Sequence, residues 1–282
     1  MPEPVGTIFM PLLWLRITVM FYAVGLLYGL AAVSRPCTWL TKYVVPIVGI
    51  GMVFHFVSLA ESAMMFGHLS LTAMSVYDSE SLLAFLIVAA FMVVYARYRT
   101  TSPGIFVFPL AFLMTFAAAL AQQPTMFTSP TMRSSWLFVH IAMIFTGYAA
   151  LFLSFAASLL YLAHEKALKS KQPTSITSRL PALSVIDDIG YKSLLLGFPF
   201  MTLGLIAGSV IAQEKFGPTW FFDPKVVLSL LMWAVYMVLL YTRWNNGWRG
   251  RKAAYLATFA FLVALGAWAA NYFSTLHRFP AS

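Results

Sequence analysis

The sequence predicts an all-α integral membrane protein with eight transmembrane helices in one bundle. Three observations carry this prediction: 61% of the 282 residues are hydrophobic, only 10% are charged, and the mean hydropathy is +0.81. Water-soluble domains are about 45–50% apolar and about 25% charged, so lipid is the main solvent of this chain. The single cysteine, Cys37, excludes an internal disulfide, a CxxC redox pair and a cysteine-based metal cluster.

Eight apolar stretches approach the roughly 20 residues that a helix needs to cross about 30 Å of hydrocarbon. The first has no basic leading segment and is too long for the core of a cleavable signal, so we expect it to remain as a helix. No linker or repeat divides the chain, and residues 1–282 are expected to form a single membrane domain. The predicted spans are Phe9–Val33, Tyr43–Phe66, Ser81–Ala96, Gly104–Ala121, Trp136–Ala163, Leu194–Ala212, Val226–Tyr241 and Ala253–Phe273.

The distribution of Lys and Arg predicts the orientation, because cytoplasmic loops retain positive charge. One set of alternate loops holds 13 of these residues, whereas the other holds only Arg133, Lys215, Lys225 and Arg278. Both termini are therefore expected to face outward, and the longest loop, residues 163–192, to be cytoplasmic. Topology thus accounts for the net charge of +9, and we exclude nucleic acid as a partner. A short amphipathic helix at the interface is expected within residues 166–192, which end in the sequence Val185-Ile186-Asp187-Asp188-Ile189 and Lys192.

Ionisable side chains inside a membrane are costly, which makes each of them a candidate functional group. His140 in the fifth span and His277 at the end of the eighth are expected at one depth near the outer face. Two imidazoles among aromatic residues suit the axial positions of a haem iron better than a zinc site, which normally has four protein ligands. An interfacial histidine also commonly bonds to a neighbouring helix or a headgroup, and the residues alone leave both interpretations open.

The aromatic loop, residues 213–225, joins the sixth and seventh spans on the same outer side. Trp220, Phe221 and Phe222 follow a Gly-Pro pair and form a flat apolar platform that fits a porphyrin face. On the aromatic residues alone, a belt at the headgroup level is the commoner interpretation.

Residues 136–277 resemble the CcsA/CcmC/HemX-type cytochrome c assembly proteins, which handle haem through an outward tryptophan-rich loop. The family's loop has the form W-G-x-Y-W-x-W-D-P-K-E, and Gly217, Trp220, Asp223, Pro224 and Lys225 match five of its positions. Further matches in the expected order are Gly197-Phe198-Pro199, residues 203–208, Trp136 through His140 to Tyr148, residues 160–162, Arg243, Gly250-Arg251 and Leu276-His277.

The resemblance implies that His140 and His277 ligate haem at the outer face. Trp220, Phe221 and Phe222 would then pack on the ring, and Asp223 would orient the loop or a nearby ligand. His55, near the middle of the second span, is either a second haem-binding residue on the way out or a packed histidine that bonds to a neighbouring helix. The cations that could meet haem propionates are Arg16, Arg133, Lys225 and Arg278.

A basic residue of the first span and an acidic residue of the second are expected to form an ion pair. Arg16 and Glu61 lie about 10 Å and 8 Å deep by helical rise, and pairing avoids an uncompensated charge in lipid.

The sequence departs from the family pattern at several positions, of which the most informative is Tyr241. Synthase members have a transmembrane histidine there, so its absence argues against synthase activity. Phe216 and Phe222 replace loop tryptophans, and Val226 replaces the final Glu. Together these features indicate the HemX and YpjD branch rather than the synthase subunit.

The first functional hypothesis is a bacterial inner-membrane protein that binds haem b non-covalently for cytochrome c assembly, without catalytic activity of its own. Its expected partners are haem, membrane lipid, and a second assembly subunit or apocytochrome c. The second hypothesis is a HemX-like regulator that acts on a haem-synthesis enzyme, glutamyl-tRNA reductase, through residues 163–192. A transporter of another solute is the weakest hypothesis, because broken helices and inverted repeats are not evident.

Overall fold

The computed structural model describes residues 9–34, 38–65, 76–120, 135–171, 177 and 180–270. Every regular element in this part of the chain is helical. A 3₁₀ helix, Gly217–Phe222, lies between α6 and α7. The α-helices are α1 (Phe9–Ser34), α2 (Thr38–Met65), α3 (Val76–Tyr98), α4 (Gly104–Leu120), α5 (Ser135–Ser170), α6 (Leu183–Phe216), α7 (Pro224–Asn245) and α8 (Arg251–Ala269).

Among the described helices, seven are long and apolar enough to cross a membrane. The eighth, α4, has 17 residues and spans about 25 Å, at the lower end of what a bilayer requires. Large apolar side chains are exposed on both halves of the chain, for example Met20 at 73% and Val210 at 62%, as a lipid solvent allows. The prediction of an all-α multi-pass membrane protein is therefore confirmed.

The helices form two compact units, with α1–α4 in the first and α5–α8 in the second. The single domain expected from the sequence stays a prediction. In the first unit, glycines let α1 lie directly against α2 and α4. A Cβ atom on Gly25 would stand 2.8 Å from Cβ of Phe108 on α4, and one on Gly51 would stand 2.7 Å from Cβ of Phe21 on α1. Small residues at such contacts are the usual means of close helix packing in membranes.

The core of the second unit is built on a stripe of alanines along α8. Their spacing of three or four residues places them on one face of the helix, and all are buried. This face packs against Leu151 of α5, Met201 of α6 and Tyr236 of α7. The alanines of the stripe that belong to this core are Ala253, Ala257, Ala260 and Ala264.

Two helices continue past the ends that hydropathy predicts. α5 runs to Ser170 and α6 begins at Leu183, so the predicted loop 163–192 is largely helical. Residues 185–189 are the first turns of α6 and form no separate interfacial helix. Residues 172–176 and 178–179 of the segment lie outside the described residues. The extensions carry ion pairs one turn apart, Glu165 with Lys169 at 2.6 Å and Asp188 with Lys192 at 2.8 Å. Such pairs stabilise helix in water, beyond the apolar layer.

The predicted ion pair between Arg16 and Glu61 is wrong. In the antiparallel pair of α1 and α2, the hydroxyl of Ser58 donates to the carbonyl of Pro11 at 2.7 Å. Glu61 therefore lies level with the beginning of α1, more than a turn away from Arg16. Arg16 is exposed, and Oε2 of Glu61 is buried with no hydrogen-bond partner among the described residues. The depths of Arg16 and Glu61 were estimated from the ends of each helix separately. Such estimates do not take into account the register between α1 and α2.

Candidate functional site

His140 is held against α6 by a hydrogen bond to the backbone. The ring lies near the beginning of α5, is half-buried, and its Nδ1 is 2.6 Å from the carbonyl oxygen of Gly204. A carbonyl oxygen can only accept, so Nδ1 carries the proton and donates it. Nε2 is then the nitrogen with the free lone pair, and it makes no hydrogen bond to any residue that the structure describes.

This arrangement is the one that a metal-ligating histidine requires. Such histidines usually donate the second ring N–H to a carbonyl or carboxylate, which fixes the tautomer and leaves the other nitrogen for the metal. The sequence predicted His140 as a ligand, and its orientation fits that role. His277, the other predicted ligand, lies outside the described residues.

Within the predicted aromatic loop, residues Gly217–Phe222 form a 3₁₀ helix, which is called the aromatic segment below. Gly217 ends α6 with a φ of 64°, a left-handed conformation that favours glycine. The indole N–H of Trp220 donates to Oε1 of Gln213 at 2.7 Å, and the rings of Trp220 and Phe221 meet edge to face at 5.4 Å. Phe221 is 51% exposed and Phe222 is 82% exposed. The segment thus has a fixed tryptophan and two phenylalanines that are free to contact a ligand or lipid.

Asp223 fixes the junction between the 3₁₀ helix and α7. It is the N-cap of α7, its Oδ1 accepts from the backbone N–H of Lys225 at 2.9 Å, and Pro224 occupies the first helical position. Both features are strong helix-start signals. The carboxylate is 5% exposed. Asp223 therefore caps α7 directly after the 3₁₀ helix, and its role in orienting the loop or a nearby ligand stays a prediction.

Lys225 is the second residue of α7 and lies near enough to His140 for its positive charge to act on the imidazole. It forms no ion pair within the described residues. The indole N–H of Trp233 donates to the hydroxyl of Thr202 at 2.9 Å, which places the first turn of α7 level with about residues 208–211 of α6. His140, Lys225 and the aromatic segment thus lie toward the same end of the second unit.

His55 belongs to the first unit and has protein partners at both ring nitrogens. Its Nδ1 lies 3.3 Å from the hydroxyl of Tyr22 on α1, and its Nε2 lies 2.9 Å from Oγ of Ser81 on α3. All three side chains are buried. Phe85 packs edge-on against the imidazole at 5.6 Å. This contact set matches the packed histidine named as an alternative, and haem binding by His55 stays a prediction.

A polar cluster lies at the end of the second unit opposite to His140. The sequence did not predict that its members contact one another. Asp187 on α6 bonds to Arg243 on α7 through both oxygens, and the backbone N–H of Gly250 donates to Oδ1 at 3.1 Å. Tyr241 is 58% exposed and lies outside this cluster. The only sequence signal was an acidic residue within a basic stretch.

Comparison with known proteins places these residues in a family. A family model described as "Cytochrome C assembly protein" matches residues 52–277. "Cytochrome c biogenesis protein CcsA" of Heterosigma akashiwo is 29% identical over 224 residues, which are 67% of this chain and 70% of that protein. The protein of the same name from Gloeothece citriformis is 30% identical over 237 residues, covering 67% and 72%. That of Chlamydomonas reinhardtii is 34% identical over 167 residues, covering 57% and 45%.

These relatives all carry the CcsA name, so the placement in the HemX branch stays a prediction. The family model covers His55 in the second span and the second unit as far as residue 277. The chain therefore belongs to the cytochrome c assembly protein family and is a multi-pass membrane protein of that pathway.

Proposed function

We propose that this protein holds haem b non-covalently at its outer face and presents it for cytochrome c assembly. In this proposal His140, through Nε2, and His277 would hold the haem iron. The single observation that carries the proposal is the hydrogen bond from Nδ1 of His140 to Gly204, which leaves Nε2 as the coordinating atom. Cytochromes c contain haem, so a haem-holding member is what an assembly family requires.

The donor set fits haem rather than another metal. A porphyrin supplies four nitrogens and asks the protein for one or two axial ligands, which imidazole provides. When bound, the haem would be the group that the assembly pathway attaches to its recipient. The part of this chain is to hold the ring, to cover it with Trp220, Phe221 and Phe222, and to offer the Lys225 ammonium to a propionate.

The proposal places the aromatic segment outside the membrane and the Asp187 cluster inside. In the second unit, the exposed cations Lys166, Lys192 and Lys252 lie toward the Asp187 end, as retention of positive charge in the cytoplasm requires. The membrane is then the bacterial inner membrane, with both termini in the periplasm. Haem reaches its recipient, an apocytochrome c or a second assembly subunit, on that side.

The proposal is tested by the spectrum of the protein purified in detergent from a haem-replete host. We expect a near-stoichiometric, low-spin b-type spectrum and a positive pyridine haemochrome assay. His140→Ala and His277→Ala are each expected to lose haem and to regain the Soret band when imidazole is added. His164→Ala is the matched control, since this histidine lies on the same helix about 36 Å further along. A wild-type spectrum in both ligand variants contradicts the axial pair.

The regulatory alternative is distinguished by the partner. Pull-down of a soluble haem-synthesis enzyme that depends on residues 163–192 supports it, whereas capture of a second membrane subunit or an apocytochrome supports assembly. The end of α5 and the beginning of α6, which extend past the predicted spans, each have part of their positive charge neutralised by an ion pair. These pairs are Glu165 with Lys169 and Asp188 with Lys192. This pairing makes them less suited to hold an acidic partner.

A further inference from the structure

Two glycines on α6 form the surface on which His140 rests. Gly204 and Gly208 are four residues apart and so lie on one face of the helix. A Cβ atom on Gly208 would stand 2.7 Å from Nδ1 of His140 and 3.3 Å from its Nε2. One on Gly204 would stand 2.8 Å from the side chain of Ile144, one turn further along α5. A Cβ atom at either position would therefore displace a side chain of α5 at the level of His140.

Backbone conformation does not explain these glycines. In the described residues, the glycines with positive φ are Gly217, Gly247 and Gly250. Gly204 and Gly208 have ordinary helical angles, where alanine is the better helix former. What they provide is space for the imidazole and access to a carbonyl. The oxygen of Gly204 has two lone pairs, so it can accept from the ring as well as from the helix.

The geometry of the ring then selects the atom that coordinates. The Nδ1–Cε1 edge lies against Gly208, and Nε2 is the nitrogen farther from α6. A methyl group at position 208 would push this edge away and break the 2.6 Å bond to Gly204. The proton on Nδ1 would then have no fixed acceptor, and the ring could adopt either tautomer.

We infer that Gly204 and Gly208 are positioning residues that hold His140 as its Nδ1–H tautomer and make Nε2 its ligand atom. The identity of the ligand rests on the proposed function, whereas the tautomer is a property of the protein without haem. Loss of such an orienting partner typically weakens metal binding about 10- to 100-fold. We expect that range for Gly208→Ala.

The first measurement is the tautomer of His140 in haem-free wild-type protein, by NMR of isotopically labelled histidine. His140→Gln assigns the signal. We expect a protonated Nδ1 and an unprotonated Nε2 above the titration range of the ring. An Nε2–H tautomer overturns the inference, whatever haem does. This measurement needs no glycine variant and so remains decisive if Gly208→Ala fails to fold.

The second measurement is haem binding by Gly208→Ala, by haemin titration and by the Soret and α-band positions. The control is Gly266→Ala on α8, where a new Cβ meets nothing within 4 Å. We expect weaker binding and a loss of low-spin character in Gly208→Ala alone, with both variants unfolding at comparable temperatures. Wild-type affinity in Gly208→Ala, together with loss of haem in His140→Ala, overturns the positioning role and leaves the proposed function intact. If His140→Ala binds haem normally, the proposed function fails. The NMR measurement of the His140 tautomer then still shows whether the inference about Gly204 and Gly208 holds.

Discussion

Arg243 on α7 and Asp187 on α6 form a bidentate ion pair, with Nη2 to Oδ2 at 2.7 Å and Nη1 to Oδ1 at 3.1 Å. The two side chains are only 10% and 17% exposed. The guanidinium also lies 4.5 Å from the ring centre of Tyr191. Because Oδ1 accepts from the N–H of Gly250 as well, one carboxylate joins the beginning of α6 to the end of α7 and to the turn before α8.

We expect Asp187→Asn to lower the free energy of unfolding by about 3 kcal/mol, since it leaves the charge of Arg243 uncompensated in a buried site. Asp188→Asn is the control, because its pair with Lys192 is exposed and spans one helical turn. Such pairs contribute about 0.3–0.5 kcal/mol. Thermal unfolding of both variants in one detergent, followed by circular dichroism, measures the difference. Equal midpoints contradict a stabilising role for the Asp187 pair.

The spans were predictable from the sequence, whereas the ends of α5 and α6 were not. Hydropathy reports which residues face lipid, and it falls at Lys166 and rises again only near Leu194. Helix formation continues through the charged segments because their residues form pairs at i and i+4, such as Glu165 with Lys169. The length of these two helices is therefore set by local charge patterning beyond the membrane.

We expect Ser81→Ala to destabilise the first unit by about 1–3 kcal/mol, because Nε2 of His55 is left buried without a partner. Ser79→Ala is the control, since that hydroxyl makes no side-chain hydrogen bond within the described residues. Thermal unfolding of both variants measures the effect.

We also expect His55→Ala to keep the spectrum of bound haem, because both ring nitrogens already contact Tyr22 and Ser81. A shifted Soret band in His55→Ala would instead assign His55 to haem.

Of the candidate site, the sequence could give the residue types and their depth but not the contacts that orient them. His140 was identifiable because an imidazole in an apolar span is rare. Its bond to the carbonyl of Gly204 was not, because a contact between residues 64 positions apart depends on how α5 and α6 are rotated against each other. The same limit explains Arg16 and Glu61, whose estimated depths were similar but which the register between α1 and α2 sets more than a turn apart.

We expect Lys225→Gln to weaken haem binding about tenfold, which corresponds to the ~1.5 kcal/mol of a charge-assisted hydrogen bond to a propionate. The ammonium lies close enough to His140 to act on it electrostatically and has no ion-pair partner among the described residues. Haemin titration at two salt concentrations measures the effect. Lys252→Gln, at the other end of the unit, is the control. Equal affinity in both variants would show that Lys225 does not contact the ligand.

We expect a cysteine at position 222 to react with a membrane-impermeant maleimide on intact spheroplasts, and one at position 252 to react only after permeabilisation. Both side chains are exposed, and Phe222 and Lys252 lie at opposite ends of the second unit. Because Cys37 is the single cysteine, Cys37→Ser provides an unreactive background. The physical reason is the retention of positive charge in the cytoplasm, which puts the basic turn around Arg249 and Arg251 inside. The reverse labelling pattern would place His140 and the aromatic segment on the cytoplasmic face, where haem bound by this protein could not be presented to a periplasmic recipient.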